Sequence, residues 1–240
     1  MRYLAIVEYD GTNYSGFQSQ KNANTIQDAI EKAFRLMTQT EVKIYGSGRT
    51  DKGVHAIGQT FHFDSDLNID IETWEKALNK RLPGDIRIKK IIKKKNSFHA
   101  RHSAKSKIYK YIISKRELSA FEYNHMVYIE KFDLSLAKLA CEDLVGTHDF
   151  IGLSQYVLNK PTIKTIYSVN IKETKDKITF FFHGNAFLKY MVRSIMGTLI
   201  EIATKRKPVN QFNIIFEQKL RSLAGKTASP KGLYLVKVFY

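Results

Sequence analysis

Gly46-Ser47-Gly48-Arg49-Thr50-Asp51-Lys52-Gly53-Val54-His55-Ala56-Ile57-Gly58-Gln59 places one acid among glycines, between two stretches of strand character. Before it, Val42 to Tyr45 is a short β-branched and aromatic run; after it, Gln59 to Phe63 alternates polar and aromatic residues at period two. Asp51 is therefore expected on a loop at a strand end, where rigid elements carry exposed functional groups. Gly46, Gly48 and Gly53 permit positive φ and close approach of a ligand, and Arg49 stands near the acid. An Asp before Lys-Gly also suits a plain turn former that bonds its own backbone. A phosphate-cradling loop would need Gly-Lys-Ser/Thr after a four-residue gap, which this order does not provide. The pairs His55/His62 and His99/His102 have no neighbouring cysteine and no His-Glu-x-x-His helix, so no metal site is expected.

Outward from this loop, residues 2 to 9 read as a strand and residues 25 to 37 as a helix. In that helix Ile26, Ala29, Ile30, Ala33, Phe34 and Met37 recur at three and four residues, behind a Thr25/Asp28 capping pair. A second helix is expected near 70 to 81, and Pro83-Gly84 turns into a strand near 85 to 92. The later residues repeat the mixture: a strand at 107 to 115, a helix at 134 to 144 stopped by Gly146, and strands at 163 to 172 and 178 to 183. Helices at 190 to 203 and 209 to 222 and a closing strand at 233 to 239 complete the order. Two α+β halves follow, 1–104 and 105–240.

Composition narrows the partners. A chain of 240 residues with 43% hydrophobic content builds one large or two ordinary globular cores. Lys and Arg number 39 against 23 Asp and Glu, and the resulting +16 is spread along the chain, which suits a polyanion. The run Lys89 to Lys95 is one candidate RNA-facing edge, and the 13 Tyr and 15 Phe offer stacking faces for unpaired bases. Cys141 is the only cysteine, so no intramolecular disulfide forms. The apolar start is broken at Glu8, too soon for a signal peptide, and no apolar run approaches the ~20 residues that span a bilayer. A soluble, cytoplasmic protein without membrane association is expected.

A set of short motifs, in order along nearly the whole chain, resembles the tRNA pseudouridine synthase A family. They begin with Tyr9-Asp10-Gly11-Thr12, Phe17-Gln18, the Asp51 loop, Leu82-Pro83-Gly84-Asp85-Ile86, Phe98-His99-Ala100-Arg101 and Lys107-Ile108-Tyr109-Lys110-Tyr111. They continue with Gly146-Thr147-His148-Asp149-Phe150, Thr165-Ile166-Tyr167, Gly184-Asn185-Ala186-Phe187-Leu188, Met191-Val192-Arg193 and Gly232-Leu233-Tyr234-Leu235. The departures are Phe17 where the family usually has Trp, Tyr190 where His is common, and Gly152-Leu153 where Ser-Phe often stands.

The resemblance implies the pseudouridine synthase α+β fold, in which two related halves share a mainly antiparallel central sheet with flanking helices. It implies an isomerase that converts uridine to pseudouridine in the anticodon stem-loop of tRNA, as a homodimer. It makes Asp51 the catalytic carboxylate, acting as nucleophile or base, with Arg49 and Arg193 supporting it and Arg193 as its counter-charge. Strand periodicity places Tyr109 and Tyr111 on the same side and does not choose between them; the family's Lys-x-Tyr motif selects Tyr109 to hold the flipped base. Leu233 is implied as an apolar wall. Because isomerisation conserves atoms and electrons, neither cofactor nor metal is expected. An RNA-binding protein without chemistry would have no physical reason to keep Asp51, Tyr109 and Arg193, and a metal-dependent nuclease would need a carboxylate cluster that is missing.

Overall fold

The first strand turns every second side chain to one face, and that face is buried. In β1 (Arg2–Tyr9), Tyr3, Ala5, Val7 and Tyr9 are all buried. The computed structural model describes residues 1–155 and 161–240. Its chain forms two compact units, the first from Met1–Lys105 with Tyr234–Tyr240, the second from Ser106–Leu233.

The first unit continues with α1 (Ile26–Thr38), β2 (Ile44–Gly46), β3 (His55–Asp64), α2 (Ile71–Asn79) and β4 (Ile86–Lys94). Thr25 caps α1 by accepting from the Asp28 amide, as its sequence requires, and Asp70 caps α2 through the Thr73 amide. β1 pairs antiparallel with β3 and β4, and β2 with β3. Tyr3 and Phe63, cross-strand partners, stack at 5.2 Å, while Phe34 of α1 lies 4.7 Å from Phe63 and 5.8 Å from Trp74 of α2. These rings form the core and fix the helices on one face of the sheet. β4 is the edge strand, and its outward Lys89, Lys90 and Lys93 deter pairing with another chain. Lys89 is bonded to Glu8 at 3.1 Å, so this cation of the lysine run is already partnered.

On the opposite face His62 pairs with Tyr45, stacks on it at 4.9 Å, and accepts from the Ala100 amide through Nδ1. Burial, with Arg2 and His99 nearby, pushes its imidazole down to about 4.

The second unit holds β5 (Ser106–Ser114), β6 (Val127–Tyr128), α3 (Leu134–Glu142), β7 (Gly146–Asp149), β8 (Ile163–Glu173), β9 (Lys177–Gly184), α4 (Met191–Ala203) and α5 (Gln211–Gln218). Its strands run β5-β9-β8-β7, all antiparallel, with the two-residue β6 parallel to β5. α4 is buried on almost every side, as its apolar Met191-Val192 and Ile195 to Leu199 demand. Cys141 lies buried in α3, its thiol pushed up to about 12 by burial. The last strand, β10 (Leu233–Phe239), returns to the first unit and pairs parallel with β3, Tyr234 opposite His55 and Leu235 opposite Ala56. Among the described residues no helix is long and apolar enough to cross a membrane.

Three elements differ from the sequence expectation. β3 begins at His55 rather than Gln59, because the run His-Ala-Ile-Gly offers no alternation of polar and apolar residues to mark a strand. Gly146, at φ 125°, opens β7 instead of ending α3, whose last residue is Glu142. α5 stops at Gln218, where Lys219 adopts a left-handed conformation at φ 57°.

The neutral His62 gives stability a sign with pH. Its imidazole protonates near 6.5 when unfolded but only near 4 when folded. The unfolded chain therefore binds more protons in that window, and stability is complete above 6.5 and falls as pH is lowered towards 4. Denaturant midpoints measured across this range should drop, and less so in His62→Gln; an identical profile in the variant would remove His62 as the cause.

Candidate active site

The loop that carries Asp51 is held by main-chain contacts. At its start Ser47 donates its amide to Thr60 O at 2.8 Å and its hydroxyl to Gln59 Oε1 at 2.7 Å, while Gln59 Nε2 donates to Gly48 O at 3.0 Å. In its middle the Phe17 amide donates to Thr50 O, and Tyr9 OH and Thr50 Oγ1 lie 2.8 Å apart. At its end Gly53, at φ 75°, donates to Tyr14 O. The Val54 amide closes the turn on the main-chain oxygen of Asp51 at 3.1 Å. Asp51 is half-buried and Arg49 exposed on the same loop.

At Gly11 and Gly16 the segment beneath the loop approaches so closely that there is no room for a side chain. A Cβ on Gly11 would lie 2.0 Å from Val54 O, and one on Gly16, at φ 103°, 2.6 Å from Thr50 O. His55 Nδ1 is 3.1 Å from both the Gly11 amide and Asp10 Oδ1, and the ring stacks on Tyr234 at 4.6 Å. Asp85 ties down the same segment, accepting from Tyr14 OH at 2.7 Å and from the Asp10 amide through its carbonyl at 2.9 Å. The motifs around Asp10 and Asp85 thus act as supports for the Asp51 loop.

In the second unit Tyr109 and Tyr111 share the buried side of β5, and they differ in what their hydroxyls and edges meet. Tyr111 is fully buried and donates to Ser229 O at 2.9 Å. Tyr109, 8% exposed, meets Phe187 edge to face at 5.0 Å. Phe187 is presented by a turn in which Asn185 Oδ1 accepts from the Thr165 amide at 3.1 Å and from the Ala186 amide at 2.6 Å. Leu233 is buried at the start of β10.

Arg193 projects from the first turn of α4. Its Nε donates to Ala228 O at 2.8 Å, its own carbonyl accepts from the Ala228 amide at 3.0 Å, and its Cζ is 5.3 Å from the Tyr190 ring centre. Tyr190 is in a left-handed conformation, φ 64° and ψ 0°, which a bulky residue adopts at a cost of roughly 1–3 kcal/mol. Its ring, with Arg193 at 5.3 Å and Lys189 Nζ at 5.1 Å, offsets part of that cost through cation–π attraction.

The segment Gly225 to Ala228 that anchors Arg193 is docked along α4. The Gly225 amide donates to Thr198 Oγ1 and the Lys226 amide to Glu201 Oε1, both at 2.9 Å. A Cβ on Gly197 would be 1.8 Å from Lys226 O, so the helix must have glycine there. Sequence reasoning did not identify this strap; its signal was an isolated glycine inside an otherwise apolar helix.

A family model described as tRNA pseudouridine synthase matches residues 5–103 and 140–240. The chain belongs to that family. A relative called tRNA pseudouridine synthase A in Phytoplasma mali is 43% identical over 239 residues, covering 99% of this chain and 98% of its own. Proteins of the same name in Oceanobacillus iheyensis and Streptococcus uberis are 41% and 39% identical, covering 100% of this chain and 96% and 98% of theirs. Of the sequence-derived positions in this synthase, Asp51 and Arg49 share one braced loop of the first unit, and Tyr109, Arg193 and Leu233 all belong to the second.

The close contact under the loop makes Gly11→Ala informative. The added methyl must push the Val54 main chain aside, and a misplacement of about 1 Å costs on the order of a hundredfold in rate. Pseudouridine formation should fall by about that factor while the circular dichroism spectrum is preserved. Wild-type turnover in Gly11→Ala would show that the loop's position does not limit the reaction.

Proposed function

We propose that the chain isomerises uridine in the anticodon arm of tRNA, with Asp51 as the reacting carboxylate. The observation that carries this reading is a half-buried acid on a loop whose main chain is clamped on both sides, in a member of the tRNA pseudouridine synthase family. In the reaction the bond from ribose C1′ to N1 breaks, the uracil turns, and C5 bonds to C1′; the C5 proton is lost and N1 gains one. No atom or electron is gained overall, so the chemistry asks for a charged group at a fixed place rather than for a donor. A carboxylate meets it either by attacking the base or ribose or by removing the C2′ proton.

The remaining roles follow from what each side chain needs. A uridine in a stacked arm must be flipped out to react, and Tyr109, buried on β5 with Phe187 against it, provides the aromatic face. Leu233 adds apolar surface. Arg193, with its Nε fixed on Ala228 O, supplies the counter-charge of the carboxylate, and exposed Arg49 holds a phosphate or fills the space left by the base. The +16 charge supports a tRNA partner through displacement of counterions. The same reading makes the synthase a cytoplasmic homodimer that works without cofactor.

Asp51→Asn is the direct test. It removes the reacting charge but few phosphate contacts, so pseudouridine formation should vanish while tRNA affinity stays within about threefold. Substantial turnover by this variant sinks the assignment.

Arg193→Met should shift the acidic limb of the pH–activity profile upward, since the carboxylate loses its counter-charge, and Arg193→Lys should recover only part of the rate. An unchanged limb and rate would show that Arg193 is not that counter-charge.

A further inference from the structure

Beside Tyr190 the second unit has a cleft of about 490 Å³, lined by Ile151, Ser154, Gln155, Tyr190, Lys219, Arg221 and Thr227. Its two cations are unequal. Lys219 Nζ is 3.2 Å from Asp149 Oδ2, so that pair is close to neutral. Arg221 has no carboxylate partner among the described residues; its guanidinium is held by neutral oxygens, Nη2 on Thr227 Oγ1 at 2.8 Å and Nη1 on Gly225 O at 3.3 Å. Among the described residues these bonds pre-orient the fork and leave Nε–H and the remaining Nη hydrogens for a ligand. Thr227, whose hydroxyl oxygen accepts from Arg221, keeps its own hydrogen to donate.

The anchors relate this cation to Arg193. Thr227 holds Arg221 and the next residue, Ala228, holds Arg193. Consecutive Cα atoms are ~3.8 Å apart, so two guanidinium groups are moored to adjacent points of one strap. The strap cannot drift, because Gly225 and Lys226 are bonded to Thr198 and Glu201 and its main chain lies against Gly197. A fixed, net-positive fork beside a hydroxyl donor is the arrangement that recognises a phosphodiester.

We propose that Arg221 and Thr227 form a subsite for an RNA phosphodiester next to the reacting uridine, with Tyr190 setting the spacing between this subsite and Arg193. The inference rests on the proposed place of Arg193 in the reaction. A free anion would not need the mooring beside Arg193, whereas a strand that must be held while one of its bases is flipped needs a grip on the linkage beside that base.

The test uses the full-length enzyme and unmodified full-length tRNA assembled with a single neutral methylphosphonate, placed in turn at each linkage flanking the modified uridine. Single-turnover kcat/KM is measured for wild type, Arg221→Gln and Arg221→Lys. At one linkage, neutralising the phosphate should slow the wild type on the order of tenfold, the usual scale of a charged hydrogen bond. Arg221→Gln should show the same loss with natural tRNA and no further loss with the modified one, and Arg221→Lys should lie between. Losses that multiply at every linkage, or an Arg221→Gln enzyme as fast as wild type, overturn the subsite while leaving the activity intact. If Arg221→Gln does not fold, Arg221→Lys keeps the comparison: a full methylphosphonate penalty at every linkage, equal to the wild type's, overturns the proposal too. Wild-type enzyme that makes no pseudouridine in the natural tRNA is a different result, and it removes the functional reading on which this one rests.

Discussion

Main chain pressed against main chain is the constraint on which the site depends. Gly11 and Gly16 let the segment after β1 come within van der Waals range of Thr50 and Val54, and Asp51 lies between those two contacts. A loop in water would spread over many conformations, at a cost of about 1–2 kcal/mol for each residue fixed. Here that entropy is lost on folding, before substrate arrives, because amides of Phe17 and Gly53 and the Val54 turn hold the chain on either side of the acid. The main chain that carries the acid is thus positioned by backbone geometry.

The second unit solves the corresponding problem for a cation by other means. A helix is stiff, but an arginine at its first turn is long and loses rotamer entropy when fixed. The strap along α4 supplies the restraint: Ala228 grips both the Arg193 side chain and its carbonyl, and the Tyr190 ring meets the guanidinium at 5.3 Å. Here the glycine again is where two backbones meet, Gly197 against Lys226.

Much of this was legible in the sequence, and the boundary of legibility is physical. Periodicity located α1 with its Thr25 cap and the strands that are half exposed, because a two-sided environment writes itself into alternation. It failed at residues 55 to 58 of β3, where His-Ala-Ile-Gly does not alternate, and at β7, where the Gly-Thr-His-Asp run has too few apolar residues to show a period. Asp51 stood out as an acid among glycines at a strand end, although a turn former reads the same way, and the resemblance chose between the two. Arg193 and Tyr109 emerged only through the resemblance, since an arginine on a helix and a tyrosine in a strand are ordinary by themselves. The strap at Gly225 to Ala228 depends on contacts between residues about thirty apart, and no local pattern records such a contact.

β10 gives the first unit a dependence in time. The strand backing His55, four residues beyond Asp51, comes from Tyr234 and Leu235, which leave the ribosome only after the whole second unit. The first unit can collapse around Tyr3, Phe34 and Trp74 early, yet its site-bearing strand keeps an open edge until translation has passed residue 235. A chain cut short upstream would carry Asp51 and Arg49 and still lack the ring on which His55 rests. Assembly of the loop's supports is therefore coupled to the synthesis of residues 234 and 235.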